Sequence, residues 1–265
     1  MKRLAIAAAL ATLIVAAPAA ATVTTFASFS PVGGANLRFV NSGTSAGRAN
    51  DAVYYTTATP TGTSASAVNV NFSFLNTIIS PFVTNATAAY RLDAVVAKNS
   101  PVTTLGLLLI QGGVSGAFSY KSTSAITVSG PGLITTTYAS GSNLLSGSFS
   151  GGQILVSTNG TSGSSFATGI IGTNITFTSD FLSFAPGSGL DRSTTFTSIT
   201  PISVKGANLA LRSFRTVTGG TYSADPQPTA LAAAPVPEPA TWAMLIAGFS
   251  LIGLSARRRI RTVAA

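Results

Sequence analysis

Ala67-Val68-Asn69-Val70-Asn71-Phe72-Ser73-Phe74 is the stretch from which the fold class can be read. Val68, Val70, Phe72 and Phe74 fall on one side of an extended chain, and Asn69, Asn71 and Ser73 on the other. That period of two is the mark of a half-buried strand. An alternating aromatic face of this kind would be wasted in a disordered chain, so it implies a packed core.

Working outward, Ala88 to Val96 repeats the pattern, with Tyr90, Leu92, Ala94 and Val96 against Arg91, Asp93 and Val95. Leu105 to Ile110 is a continuous apolar run whose length suits a buried strand and is far too short for a membrane span. Further strands are expected at Asn36–Val40, Val53–Thr57, Ala117–Lys121, Leu133–Tyr138, Gly147–Ser150, Ile154–Ser157, Asn174–Ser183, Thr194–Ser203 and Asn208–Thr218. Gly112-Gly113, Ser129-Gly130-Pro131-Gly132, Gly151-Gly152, Asn159-Gly160 and Gly219-Gly220 read as turns between them, with Asn159-Gly160 the strongest hairpin signal. Turn signals at intervals of roughly ten residues predict an all-β chain with a single β-sandwich or jelly-roll-like domain.

Composition bounds the chemistry. The 265 residues include no cysteine and no histidine, 15 basic and six acidic residues, and a formal charge of +9. Without cysteine there is no thiol catalysis, no thiolate metal site and no disulfide, so the body must be held by an ordinary core. Without histidine the commonest general base, the usual zinc ligand and the Ser-His-Asp arrangement are gone. No cofactor and no metal site is expected. Much of the basic excess sits at the two ends. Between Thr22 and Val236 the basic residues (Arg38, Arg48, Arg91, Lys98, Lys121, Arg192, Lys205, Arg212 and Arg215) are scattered, which argues against nucleic acid as a partner.

Both ends read as addresses. Lys2 and Arg3 precede an apolar run from Leu4 to Ala17, and Pro18-Ala19-Ala20-Ala21 then offers small residues, Ala19 and Ala21, at the positions that signal peptidase reads. This predicts a signal peptide over residues 1–21, with the general secretion machinery as a partner. At the other end, Val236-Pro237-Glu238-Pro239 leads through Trp242-Ala243-Met244 and Gly248-Phe249 to Arg257-Arg258-Arg259 and Arg261. Ala240 to Ala256 is an uncharged stretch of 17 residues. As a helix it is about 25 Å long, the short end of what spans a hydrocarbon core. The four arginines are a stop that stays on the cytoplasmic side, and Trp242 falls at headgroup level. Pro237 and Pro239 fix the backbone so that Glu238 is held extended just outside the span. On apolarity and arginines alone, the segment also reads as an ordinary single-span anchor.

The order and spacing of these letters resemble the PEP-CTERM sorting tail of exopolysaccharide-producing Gram-negative bacteria, in its PEPxxWA subtype. The resemblance covers about a tenth of the chain, residues 237–265, with Val236 just before it. It implies a membrane-embedded exosortase that recognises the Pro-Glu-Pro, cuts near it, and releases or transfers an exported body to the cell surface or extracellular matrix. Phe177 to Phe184, Asp191-Arg192, Phe196 to Pro201 and Gly220 to Pro226 also resemble segments common in the bodies of such proteins, read here as a strand pair joined by the loop 185–193. The expected organisation is a β-sandwich body over 22–221, a Pro/Ala-rich linker over 222–236 and the sorting tail beyond it.

Catalytic constellations are sparse. The body's carboxylates are Asp51, Asp93, Asp180, Asp191 and Asp225. Only Asp180 and Asp191 share a local region, as a glycosidase pair would need. The alternative reading pairs Asp191 with Arg192 or makes it a turn cap, and places Asp180 at a strand edge. No D-x-D-x-D cluster is present for calcium. The expected function is therefore a non-catalytic, exported surface or biofilm-matrix protein. The alternatives are a polysaccharide-binding module using Tyr54, Tyr55, Tyr120 or Tyr138 as stacking platforms, and, less favoured, a polysaccharide hydrolase.

Overall fold

The computed structural model describes residues 23–42, 52–77, 79–98, 100–129, 135–169, 174–206 and 210–231. The expected signal peptide with Ala19 and Ala21, and the expected sorting signal, membrane helix and arginine stop, lie outside these residues.

The described chain is all-β. Its strands are β1 (Thr24–Pro31), β2 (Leu37–Val40), β3 (Val53–Thr56), β4 (Val68–Phe74), β5 (Ala86–Val96), β6 (Val102–Leu105), β7 (Leu108–Ser122), β8 (Ile126–Ser129), β9 (Thr135–Tyr138), β10 (Asn143–Ser157), β11 (Gly163–Thr168), β12 (Asn174–Thr178), β13 (Leu182–Ser183), β14 (Gly189–Thr200), β15 (Phe214–Asp225) and β16 (Thr229–Ala230). The stretch quoted at the outset is β4, and all four of its apolar residues are buried.

One large antiparallel sheet holds most of these strands. Its hydrogen-bonded path returns to its start: β1 pairs with β4, β4 with β5, β5 with β7, β7 with β10, β10 with β11, β11 with β14, β14 with β15, and β15 with β1. The facing layers expected of a sandwich are thereby joined into a closed circuit, which removes the free edges of those eight strands. β2 and β3 provide a second bridge between β15 and β5, alongside β1 and β4. β6 adds to β7, β12 adds to β10, and β8–β9 and β13–β16 form small separate pairs.

Alternation then fills the interior. β5 buries Ala88, Tyr90, Leu92, Ala94 and Val96, while β14 buries Leu190, Arg192, Thr194 and Phe196. Aromatic rings dominate the packing. Tyr90 and Tyr120 stack with centroids 4.5 Å apart, Phe29 meets both at 5.1 and 5.2 Å, and Phe118 stacks on Tyr222 at 5.1 Å. Such pairs add about 0.5–1.5 kcal/mol each beyond their area burial, which suits a chain with no disulfide to rely on.

Four expectations need correction. The expected strand pair joined by the loop 185–193 does not form: β12 pairs with β10, β13 with β16, and β14, which already begins at Gly189, pairs with β11 and β15. Leu105 to Ile110 is not one buried strand. It straddles the hairpin between β6 and β7, turning at Gly106 (φ 58°), and it leaves Leu105, Leu107 and Leu108 exposed. Gly112-Gly113, Gly151-Gly152 and Gly219-Gly220 are not turns but lie inside β7, β10 and β15. Gly113 (φ 69°) and Gly151 (φ 71°) take left-handed conformations that other residues resist, and the β7–β10 register shifts between Phe149 and Ile154. Bulges of this kind bend a long strand without ending it. The boundary at 221/222 also falls inside a strand, because Tyr222 and Ala224 are buried on β15, and β16 extends the ordered pairing to Ala230. Asn159-Gly160 does lie in the β10–β11 connection, with Asn159 at φ 55°.

Candidate functional site

Asp180 and Asp191 are placed by different elements and given different work. The Asp180 carboxylate accepts the backbone N–H of Asn143 at 2.7 Å, and its own N–H donates to the Asn143 carbonyl at 2.9 Å. This reciprocal pair ties the end of the β12 segment to the start of β10. Asp191 lies on β14 opposite Thr168 of β11 and Ser223 of β15. Partial burial pushes its carboxyl pKa up, opposed by a hydrogen bond from the Gly169 backbone. The two carboxylates share no hydrogen bond in the structure. Among the described residues no three acidic groups gather in a manner that could hold a metal ion.

The expected Asp191–Arg192 pair does not form. Successive residues of a strand point to opposite faces, so Asp191 is turned toward solvent and Arg192 into the interior. The ion pair found among the described residues is Arg91–Asp93, at 3.5 Å and more than half exposed on both sides, where screening leaves it worth little.

The tyrosines considered as stacking platforms are mostly unavailable. Tyr54, Tyr55 and Tyr120 are buried. Tyr55 donates its hydroxyl to the Gly62 carbonyl at 2.9 Å, and the Tyr120 and Tyr222 hydroxyls share a 2.8 Å hydrogen bond. A ring whose faces are packed against protein cannot also stack on a sugar. Tyr138 on β9 is half-buried, with its ring 4.1 Å from that of Phe181. Burial, and then the Asp180 carboxylate, raise its pKa.

An open surface groove of about 820 Å³ is lined by Asn36, Thr57, Asn69, Ser198, Thr200 and Arg215 among others, with no carboxylate in its wall. Asn36 is already committed, accepting the Thr218 N–H at 2.9 Å and donating to the Thr218 carbonyl. A groove with one arginine and no acid offers nothing to protonate a glycosidic oxygen.

Sequence reasoning missed what stands out inside the barrel. Arg192 is fully buried, with its guanidinium carbon 5.0 Å from the centre of the Phe149 ring and 5.8 Å from that of Phe118. No well-formed hydrogen bond reaches its three nitrogens, the Tyr54 and Tyr90 hydroxyls or Ser165 Oγ, although the Tyr54 and Tyr222 hydroxyls interact with the guanidinium as hydrogen-bonding neighbours. Burial opposes the charge, and the oxygens of Tyr90, Tyr222, Tyr54 and Tyr120 more than offset it, leaving the arginine pKa above its ordinary value. The same burial raises Tyr54 to about 12 and pushes Tyr120 and Tyr222 well above the ordinary phenol value. The signal was present in the sequence: Leu190, Arg192, Thr194 and Phe196 share one face of an alternating strand, which places a charge in line with the core.

The family model described as the PEP-CTERM protein-sorting motif matches residues 235–259. No curated protein and no solved structure matches the chain. The chain therefore carries a sorting motif that marks it as an exosortase-targeted protein bound for export toward the cell surface.

Proposed function

We propose that this is a non-catalytic surface or extracellular-matrix protein of an exopolysaccharide-producing Gram-negative bacterium, exported by way of an N-terminal signal peptide and processed by exosortase at a tail of the PEPxxWA type. The observation that carries the reading is the sorting motif at residues 235–259 attached to an all-β body. Support comes from the body itself: its paired strands and aromatic core suit a chain that must stay folded outside the cell without disulfides. A polysaccharide-binding role is less favoured, because Tyr54, Tyr55 and Tyr120 are buried. A hydrolase is less favoured, because the Asp180 carboxylate is engaged with the Asn143 backbone.

In this reading Pro237-Glu238-Pro239 presents the recognition element, residues 240–256 hold it at the membrane, and Arg257, Arg258, Arg259 and Arg261 fix the orientation. Replacing Pro237, Glu238 and Pro239 with alanine in the native host should leave the precursor in the inner membrane, unprocessed. Release of the triple variant at the wild-type rate would refute recognition through that element.

A further inference from the structure

We infer that a polysaccharide carrying carboxylates on its sugar rings lies in the surface trough beside Arg38 and Arg215. The two arginines are direct partners across β2 and β15, and Thr200 of β14 stands opposite Arg215 in the same row. Residues directly opposite in an antiparallel pair share a face, with Cβ atoms about 5 Å apart, and like charges so placed repel. The row therefore costs stability, and its reason lies outside folding. Arg38 Nη1 donates to the Gly62 carbonyl, a neutral acceptor that also takes the Tyr55 hydroxyl. Arg215 is exposed and has neither a side-chain hydrogen bond nor an ion pair among the described residues. The row's carboxylate, Asp93, lies two strands beyond Arg38, past Tyr55, and pairs with Arg91.

Shape and lining name the ligand class. Pro60, Thr200 and Arg215 line both the 820 Å³ groove and an adjoining one of about 270 Å³ that Arg38 also lines, so the two form one trough. Neither wall contains a carboxylate, and the larger groove adds the neutral polar side chains of Thr57, Asn69 and Ser198. Ser198 holds φ 58°, a left-handed conformation that costs a non-glycine residue energy and that concentrates at binding sites. A guanidinium takes a carboxylate through two parallel N–H···O bonds, and the hydroxyl and amide groups exchange hydrogen bonds with sugar hydroxyls. With six acidic residues against 15 basic, a second copy of this chain is a poor source of the missing charge.

The inference deepens the matrix reading and rests on it, naming charge, not tyrosine stacking, as what holds the barrel to its surroundings. Calorimetry on the purified full-length chain in non-ionic detergent should show binding of polygalacturonate that weakens as salt rises and is absent for neutral dextran. Arg215→Gln should weaken it roughly tenfold, the loss of one charge-assisted contact. That variant should melt no lower than the unaltered chain, since it relieves the repulsion with Arg38. Lys121→Gln removes an equal charge from β7, where Lys121 faces Ala89 and Asn143, and should leave binding unchanged. Dextran bound as tightly as polygalacturonate, an undiminished affinity in Arg215→Gln, or an equal loss in Lys121→Gln would overturn the inference. So would polyglutamate bound as tightly as polygalacturonate, which would make the trough a site for acidic polypeptide. Any of these results leaves exosortase processing, which is read in the host, untouched.

Discussion

Burial holds the hydroxyls of Tyr54, Tyr120 and Tyr222 in their neutral form, with the Tyr54 pKa pushed from 10.0 to about 12. An acid whose folded pKa lies above its unfolded value stabilises the fold below the unfolded pKa, and that contribution disappears as pH rises through the folded one. The protein should therefore resist alkali to about pH 10 and lose stability progressively toward pH 12. Ultraviolet titration should show these three phenols ionising together with loss of β-structure. Their gradual ionisation near pH 10 with the fold intact would contradict their burial. Asp191 follows the same sign, since its raised pKa means that its charged form is the less favoured one when folded. Asp191→Asn should accordingly leave the melting temperature at pH 7 unchanged or slightly higher. A clear loss of stability would mean that the hydrogen bond from the Gly169 backbone outweighs the cost of burial, and loss of a polysaccharide-cleaving activity would revive the hydrolase.

Among the elements, β10 is sensitive to a single added methyl group. A Cβ on Gly147 would collide with the Thr176 carbonyl oxygen of β12 and press within 3.0 Å of the Phe118 ring, whereas one on Gly34 would meet nothing within 4 Å. Gly147→Ala should cost about 2 kcal/mol or more in urea unfolding, because the β10–β12 pairing must part to admit it, while Gly34→Ala should stay within about 0.5 kcal/mol. Equal effects would place β12 elsewhere. At the β6–β7 hairpin, Leu107 is 81 % exposed, so Leu107→Lys should leave stability unchanged within about 0.5 kcal/mol. The same elements show what the sequence made legible. β4 and β5 could be read because half-buried strands write their burial as alternation. β7 and β10 were broken into pieces because paired glycines look the same at a bulge as at a turn, and only cross-strand pairing distinguishes them. The hairpin run was misread because apolar letters do not say whether a chain is covered. Arg192 was missed because a lone charge on a strand is ordinarily solvated, and its burial depends on strands distant in sequence.

The described part of the molecule has two distinct ends. Leu231, which donates its N–H to the Phe181 carbonyl, leaves near Asp180 and Asn143, at the beginning of β10. The exposed leucine hairpin sits beside Ser157 at the other end of that strand, up to roughly 45 Å away at ~3.3 Å per residue. Residue 231 thus lies at the end opposite the hairpin. The motif was legible because it is a contiguous string whose meaning needs no tertiary structure, whereas nothing comparable marks a ligand or partner for the barrel. Processing of this chain by exosortase is the step on which its surface destination depends. Intact mass with both termini mapped, on protein recovered from its own host and from the same host lacking exosortase, tests it most directly. The account predicts a chain beginning near Thr22 and ending close to Pro237 only when exosortase is present. A chain that keeps Trp242 and the terminal arginines in both hosts would contradict it and leave a plain membrane anchor in its place.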